Sequence, residues 1–197
     1  STGAYATPLG SRWNFSQLGD VALAVNGQAL QFRDLSSGTT QFADVAGAAT
    51  AKLIEVANNF VILGGLTQTG YDGSWVWVSG FGQYNYWTTG DQNLSENFAL
   101  ADTPGPITAL KALGNDVFAF KQRATHLLSF SGSGWTNTLV LTQAGAVSQG
   151  AAVDIGDSIV TLGSDGFYQY SPGGSASTLQ CPLAGKLFGE GGDINRK

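Results

Sequence analysis

The sequence predicts an all-β fold and, within that class, a β-propeller of about four four-stranded antiparallel blades. Three observations predict it. A short turn-plus-strand unit recurs along the chain, and Asx-Gly dipeptides suited to hairpins fall at matching places inside the units. The composition is 28 Gly, 11 Phe, 6 Tyr and 5 Trp against only 12% charged residues, which suits packed sheets better than amphipathic helices. A β-sandwich is the alternative class, because evenly spaced short strands also build one.

The recurring unit is a polar turn that runs into an apolar strand, at residues 19–24, 58–63, 115–120 and 156–162. Anchored on Asp20, Asn59, Asp116 and Asp157, the units are spaced by 39, 57 and 41 residues. The first and last intervals approach the roughly 40–50 residues of a propeller blade. The long interval contains the polar stretch 91–106, which reads as an inserted loop.

In chain order, the first unit offers strands at 19–24 and 29–33, joined through Asn26-Gly27. The second has an apolar run at 52–56, the strand 58–63, the pair Asp72-Gly73 and a strand from Trp75 to Ser79. There Trp75 and Trp77 alternate with Val76 and Val78, which is the two-residue period of a pleated strand. Both faces of that strand are apolar, so both are expected to be covered. A fourth strand is expected at 84–88. The third unit reads as strands at 107–113, 115–120, 125–130 and 138–142, with Gln122-Arg123-Ala124 in place of an Asx-Gly pair. The fourth reads as 151–155, 156–162, 167–170 and 177–180, with Asp165-Gly166 between its second and third strands. The alanine-rich stretch 42–56 is the one place where composition permits a helical turn, and Gly47 and β-branched residues at its ends oppose it.

A single domain is expected over 1–197. The chain carries no methionine, even at position 1, and finishes on a Gly-rich, basic-ended stretch at 191–197. These features predict a piece of a longer chain with an incomplete set of blades.

Charge and residue inventory narrow the function. Nine basic against 14 acidic side chains give a net charge of −5, which argues against tight sequence-independent DNA binding. Only Lys121-Gln122-Arg123 and Arg196-Lys197 approach a basic patch. The lone Cys181 excludes an intrachain disulfide and a Cys-based zinc site, and reads as a buried or half-buried apolar residue. No apolar run is long enough for a membrane-spanning helix. The one histidine, His126, reads as a half-buried strand residue, since a metal site needs further ligands. No nucleophile elbow or phosphate loop occurs, and Gly64-Gly65 and the 189–192 glycines read as turn and loop positions. Asp154, Asp157 and Asp165 lie close in sequence but lack a calcium-loop pattern. The recurrent Asp20, Asp116 and Asp157 read as Asx-turn residues. The expectation is therefore no catalytic residue, no cofactor and no metal.

The remaining signal is aromatic: Trp75, Trp77, Phe81, Tyr84, Tyr86 and Trp87 cluster in one unit. Such side chains pack between blades, stack sugars or anchor a protein contact. Their concentration in one unit argues for contact with another protein. A carbohydrate-binding propeller is the alternative, although its repeats would present similar pockets. A propeller hydrolase would require carboxylates converging at the ring centre.

Several stretches resemble the tail hub, or nozzle, proteins of short-tailed bacteriophages. They are Arg12-Trp13-Asn14-Phe15 with Gly19-Asp20-Val21, residues 60–63, Trp77-Val78-Ser79-Gly80 with Tyr86-Trp87-Thr88, residues 118–124 and residues 162–168. The Asp-Pro that often precedes the Trp-Thr pair is replaced here by Gln83-Tyr84. The resemblance implies a non-enzymatic propeller subunit of a homo-oligomeric ring, commonly six-fold, around the channel through which the genome leaves. It implies portal-adaptor and other tail proteins as partners, DNA passing without specific binding, no membrane, and a place in the virion after synthesis in the host cytoplasm.

Overall fold

A computed structural model describes residues 11–38, 40–90, 92–182 and 184–188; the 189–192 glycines and Arg196-Lys197 lie outside them. The fold is all-β, in four four-stranded antiparallel sheets that follow one another along the chain. The first blade comprises β1 (Asn14–Leu18), β2 (Val21–Val25), β3 (Gln31–Asp34) and β4 (Ala43–Asp44). The second comprises β5 (Ala51–Ala57), β6 (Phe60–Leu66), β7 (Trp75–Val78) and β8 (Glu96–Ala99). The third comprises β9 (Ile107–Leu113), β10 (Asp116–Lys121), β11 (Ala124–Phe130) and β12 (Trp135–Thr142). The fourth comprises β13 (Ala152–Asp154), β14 (Ile159–Leu162), β15 (Phe167–Ser171) and β16 (Ser175–Leu179), followed by a short helix α1 (Ala184–Phe188). Each sheet pairs its strands in sequence order, and the first strands β1, β5, β9 and β13 neighbour one another across blades. This is blade stacking around an axis lined by the first strands.

Three apolar cores separate the four blades. Leu23 packs with Ile54 and Leu63 between the first and second blades. Ile62 packs with Leu110 and Ala119 between the second and third. Phe118 packs with Ala152, Ile159 and Tyr170 between the third and fourth. Because side chains alternate along a strand, β2, β6 and β10 each send one set of residues forward to the next blade and the other set back to the previous one.

Several expectations are corrected by this register. The repeat anchor of the third unit is Asn115, not Asp116, because the β9–β10 turn is Gly114-Asn115 and β10 begins at Asp116. A one-residue slip exchanges the two faces, so the correction makes Phe118 equivalent to the forward-facing Leu23 and Ile62. Positive φ supports tight turns between first and second strands, at Gly19 (55°), at Asn58 and Asn59 (49° and 61°) and at Gly114 (64°). Between second and third strands Gly27 adopts φ 91°, but Asn26-Gly27 is not a two-residue hairpin turn, because residues 26–30 join β2 to β3. Asp72-Gly73 and Asp165-Gly166 lie in longer connections and are not two-residue hairpin turns, because residues 67–74 and 163–166 join those strands. Asp72 Oδ1 instead accepts hydrogen bonds from the Ser74 amide at 2.7 Å and the Ser74 hydroxyl at 2.5 Å.

The fourth strand of the second blade is Glu96–Ala99, inside the stretch expected to be an inserted loop, and residues 84–88 are not a strand. The backbone near 84–88 is used locally: Gly80 N–H bonds Tyr86 O at 2.8 Å, and Trp87 Nε1–H bonds Tyr84 O at 2.9 Å. In the β8 sequence Glu-Asn-Phe-Ala only Phe98 favours a strand, so propensity marks it weakly; pairing with β7 through Trp77↔Asn97 and its neighbours creates the strand.

Candidate functional site

The six aromatic residues divide between two places. Trp75 and Trp77 project from β7 toward the first blade, where they pack on the core with Tyr84, and Trp87 is buried in it at 4% exposure. Tyr71 sits edge-on to Trp75 with ring centroids 4.9 Å apart, and Tyr84 lies 5.0 Å from Phe32 of the first blade. The Trp77 indole N–H is buried without a hydrogen-bond partner. Phe81 does not join this group. It lies 48% exposed, edge-on to Phe60 at 5.2 Å, above an aromatic set with Phe130 and Trp135 on the other side of the blade. Tyr86 covers Gly80, where a Cβ would come within 3.1 Å of the ring, a tight approach that the tyrosine would have to yield to. Four of the six aromatics therefore face the joint between the first and second blades, and Phe81 presents the most exposed ring.

Sequence reasoning missed a buried polar node at the joint between the second and third blades. Lys121, expected to belong to a basic patch, is fully buried at the end of β10. Its ammonium donates to the carbonyl oxygens of Leu100 and Thr103, each at 2.6 Å. His126 is also fully buried, deeper than the half-buried position expected, with Nδ1 2.9 Å from Asn137 Oδ1 and Nε2 2.8 Å from Thr103 Oγ1. The Asn137 amide nitrogen points to Asp102 Oδ2 at 3.5 Å, which turns its oxygen to the imidazole. Hence Nδ1–H donates to Asn137, Nε2 accepts from the Thr103 hydroxyl, and the ring is neutral. Burial, reinforced by the nearby Lys121 charge, holds His126 below its ordinary pKa; burial likewise lowers Lys121. The node ties the 100–106 crossover to the third blade. The only signal for it in the sequence was a charged residue and a histidine interrupting otherwise apolar strands.

Along the axis the first strands enclose a cleft of about 920 Å³ lined by Asn14 and Phe15, Ile54 and Glu55, Lys111, and Ala152 to Asp154. Burial raises the pKa of Glu55, opposed by the Val56 amide and the Lys111 charge. Among the described residues no group of three or more His, Cys, Asp and Glu side chains could hold a metal. Nor is any described helix long and apolar enough to cross a membrane. Side-chain caps of the Asx kind occur at Asp34, Asp72 and Asp154, which bond the amides of Ser36, Ser74 and Gly156. Cys181 is half-buried.

No family model and no curated protein matches the chain. Solved structures do resemble it. The CNH domain of AfRom2 superposes with a TM-score of 0.51 at 9% identity, covering 82% of this chain and 51% of that one. Hsv2 of Kluyveromyces lactis gives 0.47 at 9% identity, with 80% and 48% covered. The N-terminal domain of Nup159 gives 0.49 at 11%, with 85% and 47% covered. These are β-propeller domains, and the chain shares their fold. It spans about half the length of the structures it matches.

Proposed function

We propose that the chain is a structural subunit of a larger assembly, and specifically a propeller portion of the tail hub of a short-tailed bacteriophage. The observation that carries the structural role is the use made of the reactive side chains. The only histidine and the buried Lys121 are spent on fixing the 100–106 crossover, which leaves sheet faces and aromatic edges as the surfaces on offer to partners. The likeness of residues 12–15, 77–80, 86–88, 118–124 and 162–168 to tail hub proteins supports the phage assignment. A net charge of −5 suits a conduit past which DNA moves without being held. Within this reading Phe81, Tyr84 and Tyr86 form the contact to a neighbouring tail protein, and Trp75, Trp77 and Trp87 support it from beneath. The sugar-binding alternative is disfavoured, because Trp87 is buried and Trp75 and Trp77 turn into a blade joint and not outward as stacking platforms.

The test is mass spectrometry of particles purified from a phage that carries this coding sequence, with immunogold labelling against the chain. The expected result is the chain in stoichiometric amount, with label at the tail. Its absence from the particles overturns the assignment.

A further inference from the structure

We propose that a cavity at the end of the blades where the first strands begin captures the free carboxyl end of a polypeptide. The cavity holds about 610 Å³ and draws on all four blades: Arg12 and Asn14 at the first, Lys52 at the second, Thr108 at the third and Ser148 on the approach to the fourth. Asn26, from the connection after β2, completes this set. The charge of the cavity is one-sided. Arg12 and Lys52 are both exposed, and no Asp or Glu stands among the described lining residues, although the chain carries 14 acids against nine bases. Two cations brought together from different blades attract an oxyanion and hold it through charge-assisted hydrogen bonds.

Asn26 narrows the choice of anion. It is 2% exposed, and its side-chain nitrogen and oxygen are both buried without a hydrogen-bond partner. Among the described residues no other side chain has a donor and an acceptor orphaned together. The backbone around it is satisfied: Gly27 N–H donates to Ala51 O at 2.7 Å, Ala51 N–H to Gln28 O at 3.3 Å, and Thr67 Oγ1 to Gly27 O at 2.8 Å. The turn is thus fixed, and the carboxamide alone is left over. A buried polar pair of this kind destabilises a fold unless something completes it. One peptide group does so, donating its N–H to Oδ1 and accepting from Nδ2–H through its oxygen. A fully ionised anion offers acceptors only and leaves Oδ1 unpaired. The last peptide group of a chain and the carboxylate beside it supply both halves, the first to Asn26 and the second to Arg12 and Lys52. Entry is past the Lys52 stem, whose Cγ lies 3.6 Å from where a Cβ of the adjoining Gly27 would stand. That side chain is exposed and flexible, so it swings aside as its ammonium takes up the carboxylate.

The probe is N-acetyl-alanyl-alanine, titrated into the chain and followed by calorimetry and by the side-chain amide NMR signal of Asn26. The same peptide with an amidated C-terminus, and inorganic phosphate, are the comparisons. The expected result is saturable binding of the acid with a shift of the Asn26 signal. The amidated peptide and phosphate each lack half of the match and should bind about tenfold more weakly. Arg12→Gln and Lys52→Gln alter exposed residues and should each weaken the acid several-fold with the circular dichroism unchanged. Asn26→Leu should abolish binding and leave the thermal midpoint unchanged or higher, since it removes no hydrogen bond. If Asn26→Leu does not fold, the two charge variants decide. Absence of binding by the acid overturns the inference, as does equal binding of acid and amide, equal binding of phosphate, or full-strength binding by both charge variants. The inference does not rest on the tail-hub reading, so the failure of either leaves the other standing.

Discussion

Lys121 Nζ lies 2.6 Å from the carbonyl oxygen of Leu100, a residue 21 positions earlier in the chain, and both are fully buried. Through this bond and its companion to Thr103 O, a side chain of the third blade holds the crossover that enters that blade. Lys121→Met keeps the aliphatic stem and orphans two carbonyl oxygens. An unsatisfied buried polar group costs about 1–3 kcal/mol, which outweighs the relief of removing one desolvated ammonium that already has two acceptors. The expected loss is about 2 kcal/mol in urea unfolding, with faster amide exchange across 100–106 than in the rest of the sheet.

Neutral His126 makes stability depend on pH. Its folded pKa lies below the ordinary 6.5, so as the pH falls through about 6.5 the unfolded chain takes up a proton that the folded chain refuses. Stability should therefore decline on acidification below that point and be flat above it. Glu55 acts in the opposite sense, since its raised pKa lets the folded state bind a proton first. The lowered carboxyls of Asp34 and Asp72 stabilise above their ordinary 3.8 and are lost only at lower pH. The contribution of the imidazole is the difference between the unaltered chain and His126→Gln. That difference should narrow as the pH falls from 7 to 5, and a constant difference would contradict the neutral assignment.

Among the described residues Gly145 is the glycine least able to accept a side chain. A Cβ there would lie 1.9 Å from Lys121 O and 2.7 Å from Ala124 O, both backbone atoms that cannot turn aside. Gly145→Ala should cost about 3 kcal/mol or more, as a severe steric change in a packed site does. Gly150→Ala is the control, with nothing within 4 Å of its added methyl and no positive φ, and should stay within about 0.5 kcal/mol. Thermal unfolding of the two variants should separate them clearly.

Tyr168 donates its hydroxyl proton to Asp165 Oδ1 at 2.9 Å, and burial, that hydrogen bond and the carboxylate charge push its pKa up to about 12. Asp165→Asn removes the charge and keeps an acceptor. The phenolate absorbance of Tyr168 should then appear at lower pH than in the unaltered chain; an unchanged titration would show that burial alone sets the value.

Much of the fold was legible because turns and alternation are local. Asn58-Asn59 between two apolar runs marks a hairpin, and the alternation from Trp75 to Val78 marks a strand with two covered faces; both stand in the structure. The strand Glu96–Ala99 was not legible, since only Phe98 among its four residues favours a strand and pairing with β7 imposes the conformation. The candidate site was legible as a list of aromatic residues and not as an arrangement. Whether Trp77 faces outward or into the first blade depends on which sheet lies beside it, and the node of Lys121 and His126 depends on a crossover folding back over β10.

The sequence by itself determined the all-β class, the recurrence of a four-stranded unit and most strand positions, because these follow from side-chain period, turn chemistry and composition over a few residues. Only the tertiary structure decided which face of each strand meets a neighbour. One residue of register exchanges the two faces, and the position of Asn115 in place of Asp116 sends Phe118 forward into a core. The same register leaves Phe15 66% and Val153 53% exposed. Their identities alone give no sign of it, because exposure depends on what packs opposite and not on the side chain itself.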